Sequence, residues 1–122
     1  MVDVARHARH ISLPDVGVEG QRRLATSSVL VVGAGGLGCP ASLYLAAAGI
    51  GRIGLIDDDA VDLSNLQRQI LHTTADVGAP KVASARAKLN ALDPNVKVEV
   101  FRQRLNPNNA MEMLKGLSLI HI

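Results

Sequence analysis

The sequence predicts an α/β fold, a doubly wound parallel sheet, and three observations lead to it. The apolar runs Val29–Val32 and Ile53–Ile56 continue without alternation, as strands covered by helices on both faces do. Between them the glycine cluster Gly33-Ala34-Gly35-Gly36-Leu37-Gly38 opens a helix-compatible stretch. The core must be built from Val, Leu, Ile and Ala, because the 122 residues include no Trp, one Tyr and one Phe. The expected architecture is the N-terminal half of a Rossmann-like sheet, about three strands with flanking helices.

The elements follow in order. Residues 1–16 are polar and basic and read as an arm or short irregular segment. Glu19–Thr26 suits a short helix that turns Leu24 and Ala25 inward. After the strand Val29–Val32 and the glycines, Leu37–Ala48 is helix-compatible, with Pro40 tolerated in the first turn and Gly49 placed as a C-terminal cap. Ile53–Ile56 is the second strand and ends at Asp57-Asp58-Asp59. Ala60–Gly78 is polar without a clear period and reads as a functional loop with a short helical turn. Pro80 starts a helix whose buried stripe is Val82, Ala85, Leu89 and Leu92, and Asp93-Pro94-Asn95 ends it. Val96–Val100 alternates as an edge strand does, and Asn106 with Pro107 caps a last helix through about Lys115.

The expected organisation is thus an arm and short helix over 1–27 and a nucleotide-binding half-domain over 28–116. Three strands leave an apolar edge at Val29–Val32, where a fourth should pair. Leu117–Ile122 could open that strand. The same six residues match the translation of a sequencing adapter, so 117–122 is also readable as a foreign tail on a truncated chain, which alone would be poorly soluble and inactive.

Charge and composition exclude several classes. A net charge of +2 and so few aromatics offer neither a basic face nor a stacking platform for nucleic acid. Val29–Gly51 lacks charge over a membrane-spanning length, but its glycines cluster as a turn and Pro40 interrupts it; strand, turn and helix explain it better than a bilayer span. A single cysteine, Cys39, favours a reducing compartment, and no apolar segment follows Arg6 and Arg9 to make a signal peptide, so a cytoplasmic location is expected.

The chemistry centres on the glycines. A tight strand-to-helix turn needs positive φ, and a phosphate reaches backbone N–H groups only where no side chain intervenes. Gly33, Gly35, Gly36 and Gly38 fit that need, although such a turn also serves close packing alone. Asp57, some twenty residues past Gly38, stands where a carboxylate accepts hydrogen bonds from ribose hydroxyls. Asp58 and Asp59 suit caps of the following turn, with Asp59 able to help position a nucleotide; three consecutive carboxylates on extended chain diverge, so no metal site is expected from them. Cys39 reads as a small packed residue, and His7, His10 and His72 as surface or loop residues without metal-ligand spacing.

Asn65, Arg68, Gln69 and Lys81 follow the strand end that holds Asp57, the side on which ligands of open α/β sheets bind. Helix N–H groups alone accommodate a pyrophosphate bridge, whereas a triphosphate facing an incoming carboxylate calls for cationic side chains. On composition alone, Arg68 and Lys81 would be solvated surface charges.

The chain resembles the ubiquitin-activating enzyme superfamily, specifically the bacterial adenylyltransferases that activate sulfur-carrier proteins for molybdopterin and thiamine synthesis. The resemblance runs from Arg6 to about Lys115, through Arg6-His7-Ala8-Arg9-His10-Ile11, Gly33 to Cys39, Asp57-x-Asp59, Leu63 to Gln69 and Val77 to Val82. It implies ATP as substrate with Mg²⁺, and the C-terminal glycine of a ubiquitin-like carrier ending in Gly-Gly as the group adenylylated. By the same resemblance Gly35 and Gly36 lie against the α-phosphate, Asp57 holds the ribose, Asn65, Arg68 and Lys81 contact the triphosphate, and Gln69 supports them. Arg9 matches an arginine donated across a homodimer. The family's magnesium-binding aspartate and Cys-x-x-Cys zinc motifs would follow Ile122. Two rivals remain at this point: the nucleotide domain of an NAD- or FAD-dependent oxidoreductase, which leaves Leu63–Gln69 and Lys81 unexplained, and a non-catalytic module of the same fold.

Overall fold

The computed structural model describes residues 2–117 and the backbone of 119–121; Met1, Ser118 and Ile122 lie outside the described residues, the latter two within the stretch read as a foreign tail. The elements run α1 (Ala8–Ile11), α2 (Gly17–Thr26), β1 (Ser28–Val32), α3 (Gly38–Ala48), β2 (Arg52–Ile56), α4 (Lys81–Leu92), β3 (Lys97–Phe101), α5 (Ala110–Met113) and β4 (Leu119–His121), with 3-10 turns at Leu63–Asn65 and Thr74–Asp76 between β2 and α4. The arm therefore contains one helical turn, and the last helix is much shorter than expected: Asn106 Oδ1 takes the amides of Asn108 (2.9 Å) and Asn109 (3.1 Å), so its capping goes to the preceding turn.

The sheet order is β3-β2-β1-β4, all parallel. Val29 pairs with Ile53 and Ile53 with Val98, so the three strands read from the sequence lie side by side in register. The structure adds the short β4, which pairs Val29–Val31 with Leu119–His121 along the edge that needed cover. Strand order reverses beside β1, which makes the carboxyl end of β1 the topological switch point, the usual ligand crevice of such sheets. The glycine turn stands there.

Alternation within β1 sends Val29 and Val31 into a core with Cys39 and Ala46 of α3 and Val82, Ala85 and Leu89 of α4. Leu30 turns to the other face, where its Cδ1 lies 3.0 Å from the place a Cβ on Gly54 would take. Full burial of a Leu or Ile such as Leu30 or Ile53 contributes roughly 2 kcal/mol. Leu92, read as the last residue of the α4 stripe, is 39% exposed, because the helix ends there and the chain turns away. α3 closes with Gly49 at φ 98°; the Gly49 amide donates to Ala46 O and the Ile50 amide to Leu45 O, the Schellman arrangement expected of a capping glycine.

Candidate functional site

The glycine turn is built by two different requirements. Gly33 adopts φ +98° and its amide donates to Ile56 O at 2.8 Å, which joins the ends of β1 and β2. A Cβ on Gly38 would sit 1.7 Å from Gly33 O, so only glycine lets α3 start so close to the strand. Gly35 and Gly36 are different: a Cβ at either would meet only side-chain atoms at ordinary contact distance, Gln69 Nε2 at 3.6 Å for Gly35 and Arg68 Cδ at 3.9 Å for Gly36. The fold itself does not demand glycine at those two positions.

Asp57 ties the turn to β2. Its Oδ2 accepts from the Ala34 amide and its Oδ1 from the Asp59 amide, each at 2.8 Å. Contrary to the expectation of divergence, one oxygen from each of Asp57, Asp58 and Asp59 lies within 4.8 Å of the others, because the chain bends out of the strand at Asp57. All three are already engaged: Asp57 by amides, Asp58 by Arg104 at 3.6 Å and Asp59 by Lys81 at 3.7 Å.

The loop after β2 folds back on the turn. Asp62 caps Leu63–Asn65, its Oδ1 accepting from the Ser64 amide (2.9 Å) and Ser64 Oγ (2.6 Å), and these bonds hold its carboxyl below the usual carboxylate range. Asn65 Oδ1 accepts from the Asp62 amide at 3.1 Å, so this side chain also braces the loop. Its carbonyl accepts from the amides of Arg68 and Gln69, which presents those two side chains to Gly36 and Gly35. Arg68 is exposed, with a long 3.4 Å contact from Nη1 to Ser64 O. Gln69 is only 4% exposed, and its Oε1 is buried with no hydrogen-bond partner among the described residues.

Lys81 is not a solvated surface charge. Its side chain is 8% exposed, and its one ion-pair partner among the described residues, Asp59 at 3.7 Å, is itself 68% exposed. The Lys81 amide donates to Asp59 O at 3.0 Å, which fixes the first turn of α4 against the strand end. A buried ammonium at the positive end of a helix with one long, wet partner is under-compensated, and an anion in front of it would complete it.

Two residues were misread in the sequence. His72 is 4% exposed, with Nε2 3.0 Å from Ala34 O and Nδ1 2.8 Å from Ser84 Oγ. His7 is 5% exposed and packs on Gly49. Neither sits in a periodic segment, so no sequence signal marks them; only the folded loop and arm bury them. Cys39 packs as expected. Its Sγ donates to Ala34 O at 3.3 Å and lies 3.7 Å from His72 Nε2, and burial pushes the thiol up. The structure brings Gly33, Gly35, Gly36, Gly38, Asp57, Asp59, Asn65, Arg68, Gln69 and Lys81 to one end of the sheet. Arg9 is not among them. It lies exposed on α1, which follows His7 and packs by α2 and the Gly49 cap, at the amino ends of the strands.

A cavity also lies at that opposite end. It holds about 230 Å³ and is lined by Asp3, His7, Gln21, Gly49 and Asp93. Among the described residues the under-satisfied groups, Gln69 Oε1 and Lys81, stand instead at the end that holds the glycine turn. No helix among the described residues is long and apolar enough to cross a membrane.

Residues 7–121 match the model of the ThiF family. The chain is 53% identical over 118 residues to a Mycobacterium tuberculosis protein named "Probable adenylyltransferase/sulfurtransferase MoeZ", covering 97% of this chain and 30% of that protein. It is 51% identical to the sulfur carrier protein adenylyltransferase of Thermus thermophilus, again over 97% of this chain and 44% of the relative. Among solved structures, E. coli TcdA, a tRNA N6-threonylcarbamoyladenosine dehydratase in complex with ATP, superposes with a TM-score of 0.88 at 32% identity over 96% of this chain and 48% of that one. The chain thus spans between 30% and 48% of the length of these relatives.

Proposed function

The chain belongs to the ThiF family, and on that premise we propose that it carries the ATP-binding part of an adenylyltransferase that activates the C-terminal glycine of a ubiquitin-like sulfur-carrier protein. A carrier carboxylate oxygen attacks the α-phosphorus of ATP. The new O–P bond forms as the bond from the α-phosphorus to its bridging oxygen breaks, and that oxygen leaves with pyrophosphate, keeping the electron pair. The attacking carboxylate is already ionised at neutral pH, so no base is required. Catalysis comes from alignment and from charge stabilisation on the phosphates.

In this reading the Gly35 and Gly36 amides face the α-phosphate at the N-terminus of α3. Asp57, oriented by two amides, receives the ribose hydroxyls on its remaining lone pairs. Lys81 and Arg68 take the triphosphate, Asn65 joins them, and Asp59 and Gln69 support them. Mg²⁺ bound with ATP would supply charge neutralisation at the phosphates. Arg9 acts from a second copy of the chain: its place at the far end of the sheet supports a route across a homodimer rather than into its own site.

The observation that carries this proposal is that Arg68, lying against Gly36, and the buried, under-compensated Lys81, paired with Asp59, stand at the strand ends that hold the glycine turn. A nicotinamide or flavin site leaves that pair unexplained. The test is carrier-dependent exchange of labelled pyrophosphate into ATP by the intact protein. Exchange that requires a carrier ending in Gly-Gly supports the reading. Binding of NADH without binding of ATP would overturn it in favour of an oxidoreductase.

A further inference from the structure

We propose that His72 is a positioning residue of the nucleotide site, locking the Ala34 peptide of the glycine turn and coupling it to the helix that carries Lys81. The proposal rests on the nucleotide-binding reading above and assigns a role to a residue outside the motif that suggested it.

Ala34 is buried, 2% exposed, between the half-buried Gly33 and Gly35. Its peptide groups are held on both sides. The amide donates to Asp57 Oδ2 at 2.8 Å, and the carbonyl accepts from Cys39 Sγ at 3.3 Å and faces His72 Nε2 at 3.0 Å. A carbonyl oxygen can only accept, so Nε2 carries the proton directed at Ala34. In the neutral ring Nδ1 then takes the hydroxyl proton of Ser84, 2.8 Å away. Ser84 stands one turn past Lys81 on α4. The imidazole is therefore a rigid strut from the glycine turn to the start of α4, with both nitrogens used.

Such a strut has a function that packing would not require. Gly35 and Gly36 meet little of the protein, and their backbone direction is set by the peptide before them. If the Ala34 carbonyl rotates, the following amides no longer point at the place where the phosphate would lie. Lys81, approaching from α4, must keep a fixed distance to those amides to meet the same triphosphate. Placement to within about half an ångström matters at such sites. A Leu or Val would fill the volume of an imidazole but would leave the carbonyl to Cys39 alone, a weak donor.

The experiment compares wild-type protein with His72→Leu and His72→Gln in the intact protein. Gln keeps an N–H donor near the Nε2 position. Three quantities are read: melting temperature, amide hydrogen exchange at Ala34 and Cys39 without nucleotide, and the Kd for Mg-ATP. We expect His72→Leu to speed exchange at those amides at least tenfold while Leu30 and Val31 amides hold, and to weaken ATP binding at least tenfold. His72→Gln should recover most of both. Unchanged exchange and affinity in His72→Leu would overturn the proposal. So would losses that spread evenly through β1 and are not rescued by Gln, because a purely structural histidine behaves that way. Failure of the wild-type protein to bind ATP would instead overturn the proposed function, and the exchange comparison would still decide whether His72 holds the turn.

Discussion

The two ends of the sheet contain similar side chains and treat them differently. At the amino ends of the strands, polar groups close on one another. His10 Nδ1 meets Gln21 Oε1 at 3.2 Å, Gln21 Nε2 donates to Ala48 O at 2.9 Å, and Arg6 donates to Leu92 O at 3.0 Å beside the buried Asp93. At the carboxyl ends, Gln69 Oε1 is unpartnered among the described residues, Lys81 has one long ion pair, and Arg68 has one long contact. Yet a cavity of about 230 Å³ lies at the satisfied end. Unspent polar capacity, rather than concavity, separates the end proposed to hold the nucleotide from the end whose polar groups satisfy one another.

Substitutions at the unsatisfied end break this contrast most severely. Lys81→Ala or Arg68→Ala should lower carrier-dependent pyrophosphate exchange by about a thousandfold while the melting temperature stays within a few degrees, since neither cation has a strong internal partner. Lys81→Met sharpens the point: it should melt at or above the wild-type temperature, because it removes a buried charge that the protein alone compensates poorly. A large loss of stability in Lys81→Met would show that the lysine serves the fold.

The glycines give the next largest effect. Gly38→Ala forces a Cβ onto Gly33 O and should cost about 3 kcal/mol in denaturant unfolding, with loss of ATP binding. Gly49→Ala, strained at φ +98° and placed 2.3 Å from Gln21 Nε2, should cost about as much, but its folded fraction should bind ATP normally. Equal damage to binding by both would erase the distinction between the ends.

Gln21→Leu is milder. It strands Ala48 O and His10, and should lower stability by about 1–2 kcal/mol without changing ATP affinity. The smallest effect concerns Asp76, whose carboxylate accepts from Lys88 Nζ (2.7 Å) and from the Thr73 amide (2.7 Å). Lys88 foremost holds that carboxyl well below the usual carboxylate range. A depressed carboxyl stabilises the fold above its unfolded pKa, near pH 4, and loses that contribution as the pH falls. Asp76→Asn should therefore cost about 1 kcal/mol at pH 7, and the gap to wild type should begin to narrow below about pH 4 and close only well below about pH 3 in parallel melts.

Strands, crossover helices and the glycine turn were legible in the sequence because each follows a local rule: continuous apolar runs, helical spacing, and glycine where φ must be positive. Gly49 and Gly33 were placed by that logic, and Val82, Ala85 and Leu89 face the core as their period requires. The candidate site was legible only as residue types near a strand end. Local rules failed where no period exists, in the arm and in the loop 60–78.

The sequence by itself determined the half-wound parallel sheet, the position of its phosphate-type turn and the family to which the chain belongs, since those depend on patterns short enough to read along the chain. Only the tertiary structure decided that Lys81 is buried, that Gln69 Oε1 has no partner among the described residues, that Arg9 lies at the far end, and that His72 Nε2 meets Ala34 O. These are relations between residues distant in sequence. Their free energies come from desolvation and hydrogen bonding, and those depend on what the fold brings within reach of each group.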